Sequence, residues 1–290
     1  MMRFSSSFAA ALMAASLFTP ALSAAELEKF ADPSRLVSIG GSLTEIIYAL
    51  GAEELLVARD QTALYPPEVM ELPDVGYARQ LAPEGVLSVG PTALLVLEGS
   101  GPPEALDVLE GAGVEYQTVP ESYSAEGVLV KVDEVGAALG LGEKADAYRA
   151  GLEAEFAALA ERTGAIETPK RILFILSNQG GQIQASGTGT AADGMIALAG
   201  AENVITEFEG YRPLSEEAIT AAAPDAILMM DRGGDHAATD AELLAHPAIS
   251  LTPAGQNKAI FRLEGSYLLG FGPRTAAAAN ELADLLYGKP

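Results

Sequence analysis

The chain repeats itself, and that repeat limits its possible folds more than any other feature. RLVSIG (35–40) reads as a short buried strand, followed by Gly41 and then Ser42 to Glu45, SLTE, the pattern of a capping box opening a helix that ends near LGAE (50–53). KRILFILS (170–177) is again a strand, followed by a glycine-rich loop. A second capping pattern, Thr190 to Asp193, and a helix ending at AGAE (199–202) complete the parallel. Further on, LAPEGVLSVGPTALLVL (81–97) aligns without a gap on LSEEAITAAAPDAILMM (214–230), so that Glu84 matches Glu217 and Pro91 matches Pro224. Each block predicts a short helix, a proline turn and a buried strand. The first half is longer by about 16 residues between these landmarks, roughly residues 64–80, LYPPEVMELPDVGYARQ.

Alternating strands and helices in each half predict two α/β lobes, Rossmann-like, with mainly parallel sheets and helices on both faces. Between them, residues 143–162 place Ala145, Tyr148, Leu152, Phe156 and Leu159 at three- and four-residue spacing. This is one long amphipathic helix of about 20 residues, hence about 30 Å. The expected division is a signal peptide at 1–24, an N-terminal lobe at 25–142, a single linking helix at 143–164 and a C-terminal lobe at 165–290. A ligand of such a protein sits in the cleft near strand ends, and a stiff linking helix implies small hinge motion.

The leader rests on Arg3, an apolar run from Phe8 to Phe18, Pro20, and small residues at Ser23, Ala24 and Ala25. The run is about half the roughly 20 apolar residues that a bilayer span requires, so a membrane anchor is not expected. The sequence contains no cysteine, which removes disulfides, thiolate metal sites and the N-terminal cysteine of a bacterial lipoprotein. A free, unanchored periplasmic monomer is the expectation.

Charge excludes other classes. Forty acidic residues against 17 basic ones give a net charge of −23, so nucleic-acid binding, which depends on Lys and Arg neutralising phosphates, is not expected. Hydrophobic residues make up 49% of the chain, enough for a buried core. The glycine-rich segment from Gly180 to Gly189 lacks a following Gly-Lys-Ser/Thr and is not a phosphate loop; it reads as a flexible segment at the mouth of the second lobe. No Gly-x-Ser-x-Gly elbow and no His-Glu-x-x-His occurs, which disfavours a secreted hydrolase or metalloenzyme.

Four stretches carry a family resemblance: VGYARQLAPEGVLS (75–88), SGTGTAAD (186–193) with AGAEN (199–203), YRPLSEE (211–217), and LLGFGPR (268–274). In these the sequence resembles the helical-backbone class of periplasmic substrate-binding proteins serving ABC importers of ferric siderophores, cobalamin and haem. The first and last stretches are most similar to haem-binding members. The resemblance implies a non-enzymatic carrier whose transported ligand is haem, with a ferric siderophore or cobalamin as the alternative cargo, and a partner in an inner-membrane ABC permease dimer with its ATPase. It makes Tyr77 the axial ligand of the haem iron. A phenolate is a hard anionic donor suited to ferric iron where Cys is absent and His scarce. Arg79, two residues on, is expected on the same side of an extended segment, where it donates to the phenolate or to a haem propionate. Tyr65 is a candidate for stacking on the porphyrin and Arg274 for a propionate, each with a packing or turn role as its alternative. Glu84 and Glu217, one per lobe, match a twofold permease with arginine pockets. His236 and His246, the only histidines, read as capping or surface residues rather than iron ligands. Because propionates are anionic, the arginines are expected at the cleft and the carboxylates on the outer surfaces.

Overall fold

The computed structural model describes residues 28–231 and 238–289. The predicted leader and His236 lie outside them. The first lobe is built from strands β1 (Leu36–Ile39), β2 (Leu56–Arg59), β3 (Ala93–Leu97) and β4 (Glu115–Val119), in spatial order β2-β1-β3-β4 and parallel throughout. Its helices are α1 (Gly41–Ala49), α2 (Pro83–Ser88), α3 (Pro103–Glu110) and α4 (Ala125–Leu139). β1 and the first four residues of β3 are fully or almost fully buried, as expected for a parallel sheet covered on both faces.

The second lobe has β5 (Arg171–Gln179), β6 (Gln182–Ser186), β7 (Glu202–Asn203), β8 (Tyr211–Pro213), β9 (Ala226–Asp231) and β10 (Ile260–Glu264). They lie in the order β10-β9-β5-β6-β8, with β7 beside the start of β5. The β10, β9, β5 and β7 pairings are parallel, whereas β6 pairs antiparallel with both β5 and β8. The cause is local: Gly180 and Gly181, with φ of 61° and 85°, make a two-residue turn of the kind that closes hairpins. The segment read from sequence as a flexible loop is therefore strand β6 with a tight turn at one end and the Gly187 to Gly189 connection at the other. Helices α6 (Ala191–Leu198), α7 (Glu216–Ala222), α8 (Asp240–Ala245), α9 (Pro247–Ser250), α10 (Pro253–Asn257), α11 (Gly265–Leu269) and α12 (Thr275–Tyr287) complete it.

The sequence repeat survives in three dimensions. Glu84 and Glu217 each occupy the second position of their helix, and Ala93 and Ala226, register partners in the repeat, each begin a strand. The α6 cap holds as read, with the Thr190 hydroxyl accepting from the Asp193 amide. The α1 cap does not. Its N-cap is Gly40, without a side-chain cap, and the Glu45 that completes the sequence pattern turns elsewhere.

Helix α5 (Gly142–Gly164) is the predicted connector. Its Ala145, Leu152, Phe156 and Leu159 are buried and Tyr148 is partly so. It packs on α4 of the first lobe and on α6 and α12 of the second. One continuous apolar cluster runs beneath it, from Ile46, Val132 and Val135 through Phe156 to Ile196, Phe271 and Leu282. The lobes thus share a core along this spine as well as a covalent link. In α12, Leu282 is buried and Leu285 faces solvent.

Candidate functional site

The loop between β2 and α2, the segment missing from the second half of the repeat, gives the first lobe an unusual surface. Of the seven large hydrophobic side chains most exposed among the described residues, four lie in it: Leu64, Tyr65, Met70 and Tyr77. Free water contact of that much apolar area in one loop is the mark of a binding surface rather than of a core.

Tyr77 and Arg79 flank Ala78. The Ala78 side chain is buried in the lobe core, while Tyr77 and Arg79 are exposed on either side. The backbone here is a turn rather than the expected extended segment: the Gln80 amide donates to the Tyr77 carbonyl at 2.8 Å, and the Gly101 amide to the Ala78 carbonyl at 2.9 Å. Burial of the small Ala78 achieves what strand alternation would have done, pointing both neighbours outward. Among the described residues, neither the Tyr77 phenol nor the Arg79 guanidinium takes a hydrogen bond or ion pair.

Two tyrosines not picked out from the sequence, Tyr123 of the first lobe and Tyr211 of β8, lie within electrostatic range of Arg79. Burial raises the pKa of both phenols, and the nearby Arg79 charge opposes that rise in each. Thr190 and the Ala192 amide at the start of α6 also act against the burial that raises the Tyr211 phenol. Its signal in the sequence was its place in YRPLSEE, one of the four stretches that carry the family resemblance. Tyr123 meets the second lobe directly: its ring stands edge-on to Phe271 at 5.3 Å, and its carbonyl fits against Gly194 so closely that a Cβ there would lie 2.2 Å from it.

A second inter-lobe junction lies at Arg274. Its Nε and Nη2 donate to the two carboxylate oxygens of Glu45 at 2.9 and 2.6 Å, and the guanidinium lies 4.0 Å above the Tyr65 ring and 5.3 Å from that of Tyr267. Leu64, Tyr65, Glu264, Ser266, Tyr267 and Arg274 line a groove of about 550 Å³ between the lobes. Burial pushes the Glu45 carboxyl above its ordinary range, against the pull of Arg274. Arg274 is pushed down by its own burial but raised on balance by Glu45. Tyr65 and Arg274 therefore meet as a stacked pair, with the arginine engaged across the lobe boundary.

Carboxylates are not confined to the outer surfaces. Glu121, beside Tyr123, is partly buried and paired with the fully buried Lys131 at 2.6 Å, and Glu98 accepts the Glu121 amide at 2.9 Å. Glu264 caps α11 through the Ser266 and Tyr267 amides. The cleft tolerates these charges because Glu45 and Glu121 each have a cation and Glu264 has amide donors.

His246 is buried, with Nδ1 accepting the Ala248 amide and Nε2 3.1 Å from the Gly181 carbonyl, a capping role as read and not a surface one. Glu84 and Glu217 are both fully solvent-facing in the first turns of α2 and α7. Among the described residues, no helix is long and apolar enough to cross a membrane, and no three His, Cys, Asp or Glu side chains cluster as a metal site.

The chain is similar to known proteins over nearly all of this architecture. The periplasmic heme-binding protein BhuT, solved in complex with two hemes, is 38% identical, with a TM-score of 0.83 over 87% of this chain and 97% of BhuT. The periplasmic heme-binding protein RhuT from Roseiflexus sp. RS-1, in apo form, is also 38% identical at a TM-score of 0.83, covering 88% of this chain and 98% of that one. An uncharacterized ABC transporter substrate-binding lipoprotein, YvrC of Bacillus subtilis (strain 168), is 26% identical, covering 88% of this chain and 81% of its own length. The periplasmic binding protein family matches residues 36–267, from the first strand of one lobe to the helix beneath the cleft of the other, and the chain belongs to that family.

Proposed function

We propose that this protein is a periplasmic carrier that binds haem between its lobes through Tyr77 and delivers it to an inner-membrane ABC importer. The observation that carries this reading is the Tyr77-Ala78-Arg79 turn, which exposes a phenol and a guanidinium that take no hydrogen bond or ion pair among the described residues. The similarity to BhuT and RhuT supports haem as the cargo. Tyr77 supplies the iron with an anionic oxygen ligand, since ferric iron itself favours loss of the phenol proton. Arg79, an exposed cation two residues from Tyr77, meets a propionate of the porphyrin. Tyr65, Leu64 and Met70 give the macrocycle an apolar face to lie on. Arg274 holds the groove beside it rather than standing free for a propionate.

The remaining parts of the reading follow the same logic. Glu84 and Glu217, fully hydrated on opposite lobes, dock the permease, and the protein acts as a monomer without enzymatic activity of its own. Export through the 1–24 signal peptide yields a free protein, since the sequence has no cysteine to carry a lipid.

Hemin titration tests the central claim. The expected result is a Soret band with the charge-transfer band of high-spin, tyrosine-ligated ferric haem, lost in Tyr77→Ala. An unchanged spectrum and affinity in that variant would remove Tyr77 as the ligand. Tighter binding of a ferric siderophore or cobalamin in competition would replace haem as cargo.

A further inference from the structure

Sequence reading placed Tyr77 but said nothing of what holds it. Asp60, the residue directly after β2, is completely buried. Its Oδ1 accepts the Gly40 amide at 2.9 Å and the Thr62 hydroxyl at 3.0 Å, and its Oδ2 accepts the Thr62 amide at 2.8 Å. One buried group thus ties the end of β1 to the start of the β2–α2 loop, the loop that carries Tyr77.

The residues on either side of Asp60 hold the approach to that turn. Arg59 donates its amide to the Pro73 carbonyl at 3.0 Å and accepts the Val75 amide at 2.9 Å, while the Gln61 amide donates to the Gly76 carbonyl at 2.9 Å. The Arg59 side chain is buried and lies 3.8 Å from Asp74, whose Oδ1 accepts the Gly76 amide at 2.8 Å. Among the described residues, the main-chain anchors of 73–76 therefore run to Asp60's two neighbours or to Asp74, and the Ala78 carbonyl accepts the Gly101 amide. By contrast, the Tyr77 side chain, exposed, has no anchor of its own among the described residues. Its position is inherited from the backbone.

We propose that Asp60 is the positioning residue for Tyr77, its buried carboxylate fixing the loop that aims the phenol at the cargo iron. This rests on the haem reading above. A ligand on a loop is only as well placed as the groups that support it, and loss of such a support costs about ten- to a hundredfold in metal affinity. Asp60→Asn keeps the size but replaces an acceptor oxygen with an NH2 that confronts the Gly40 or Thr62 amide.

The experiment is hemin titration of the full chain, comparing wild type, Tyr77→Phe, Asp60→Asn and, as a control of similar instability away from the loop, Ile196→Val in the second-lobe core. Asp60→Asn is expected to lose about tenfold or more in hemin affinity and, at saturating hemin, to show a weakened tyrosine-to-iron charge-transfer band, approaching Tyr77→Phe, while Ile196→Val keeps the full band. A folded Asp60→Asn with the wild-type band and affinity would overturn the proposal, as would equal loss of the band in Ile196→Val. Should Asp60→Asn fail to fold, Thr62→Val, which removes one donor to Asp60, decides: a weakened band supports the role and an intact one refutes it. Absence of the tyrosine band in wild type would instead count against haem ligation by Tyr77 itself.

Discussion

Glu45 on α1 and Arg274 before α12 are joined by two parallel hydrogen bonds, 2.9 and 2.6 Å, that cross from one lobe to the other. Glu45 is almost wholly buried and Arg274 about a quarter exposed. Such a fork-to-fork pair is directional, so it sets the angle between the lobes as well as adding to their adhesion. Together with Tyr123 seated against Gly194, it places two contacts on the cleft side of the shared core.

Breaking the pair from one side leaves a buried charge without its partner. Arg274→Ala is expected to cost about 2 kcal/mol, below the roughly 3–5 kcal/mol typical of a fully buried pair, because the arginine is partly hydrated. The Glu45→Ala and Arg274→Ala losses should add to more than that of the double variant in urea unfolding. Additive losses would mean that the pair is not coupled.

The pair also predicts a pH dependence. Glu45 has a folded pKa raised by burial, so the folded state holds the proton more tightly than the unfolded chain. Its contribution to stability is therefore full at low pH and is lost as pH rises from the unfolded carboxyl range, about 4, through the raised folded value. The melting temperature of wild type minus that of Glu45→Gln should fall with pH across that window. A difference that rises instead would show that Arg274 outweighs the burial of Glu45.

Gly194→Ala is expected to cost about 1–3 kcal/mol, because its Cβ would meet a backbone carbonyl of the other lobe that cannot rotate away. In a protein of this size that is a melting-point loss of roughly 2–10 °C. Gly151→Ala, on an exposed stretch of α5 with nothing within 4 Å of the new methyl, should be neutral or slightly stabilising. Thermal scans of the two variants read the contrast directly.

Arg79→Ala should weaken hemin about tenfold, about 1.4 kcal/mol, and weaken iron-free porphyrin by a similar factor, because both carry the propionates. Tyr77→Ala should weaken hemin alone. Fluorescence quenching titrations with the two ligands separate the roles.

Charge reversal at both docking positions, Glu84→Arg with Glu217→Arg, should abolish uptake through the importer while hemin titration stays at the wild-type value. Loss of hemin binding in this variant would end the separation of docking from cargo recognition.

Periodicity made much of the fold legible, because strand and helix burial is written at spacings of two and of three to four. The lengths of α5 and β5, the α6 cap and the register of Glu84 with Glu217 were all available in the chain itself. The repeat also marked the extra loop that carries Tyr77, whereas the iron-ligand role expected of that residue came from the family resemblance. The Ser42 to Glu45 pattern misled because a local rule competed with a distant partner: Arg274 lies 229 residues away and takes the carboxylate that a capping box would use. β6 was hidden by its glycines, which suit a tight turn as well as a loose loop.

What the sequence determined by itself was thus a doubled α/β architecture with a spine and one odd loop, properties that depend on neighbours along the chain. What only the tertiary structure decided was which side chains find distant partners: Arg274 pairs with Glu45, Asp60 is buried against the Gly40 and Thr62 amides, and Arg79 is exposed. Those outcomes depend on which groups from distant parts of the chain come within about 3 Å of each other, the range over which a hydrogen bond or ion pair acts.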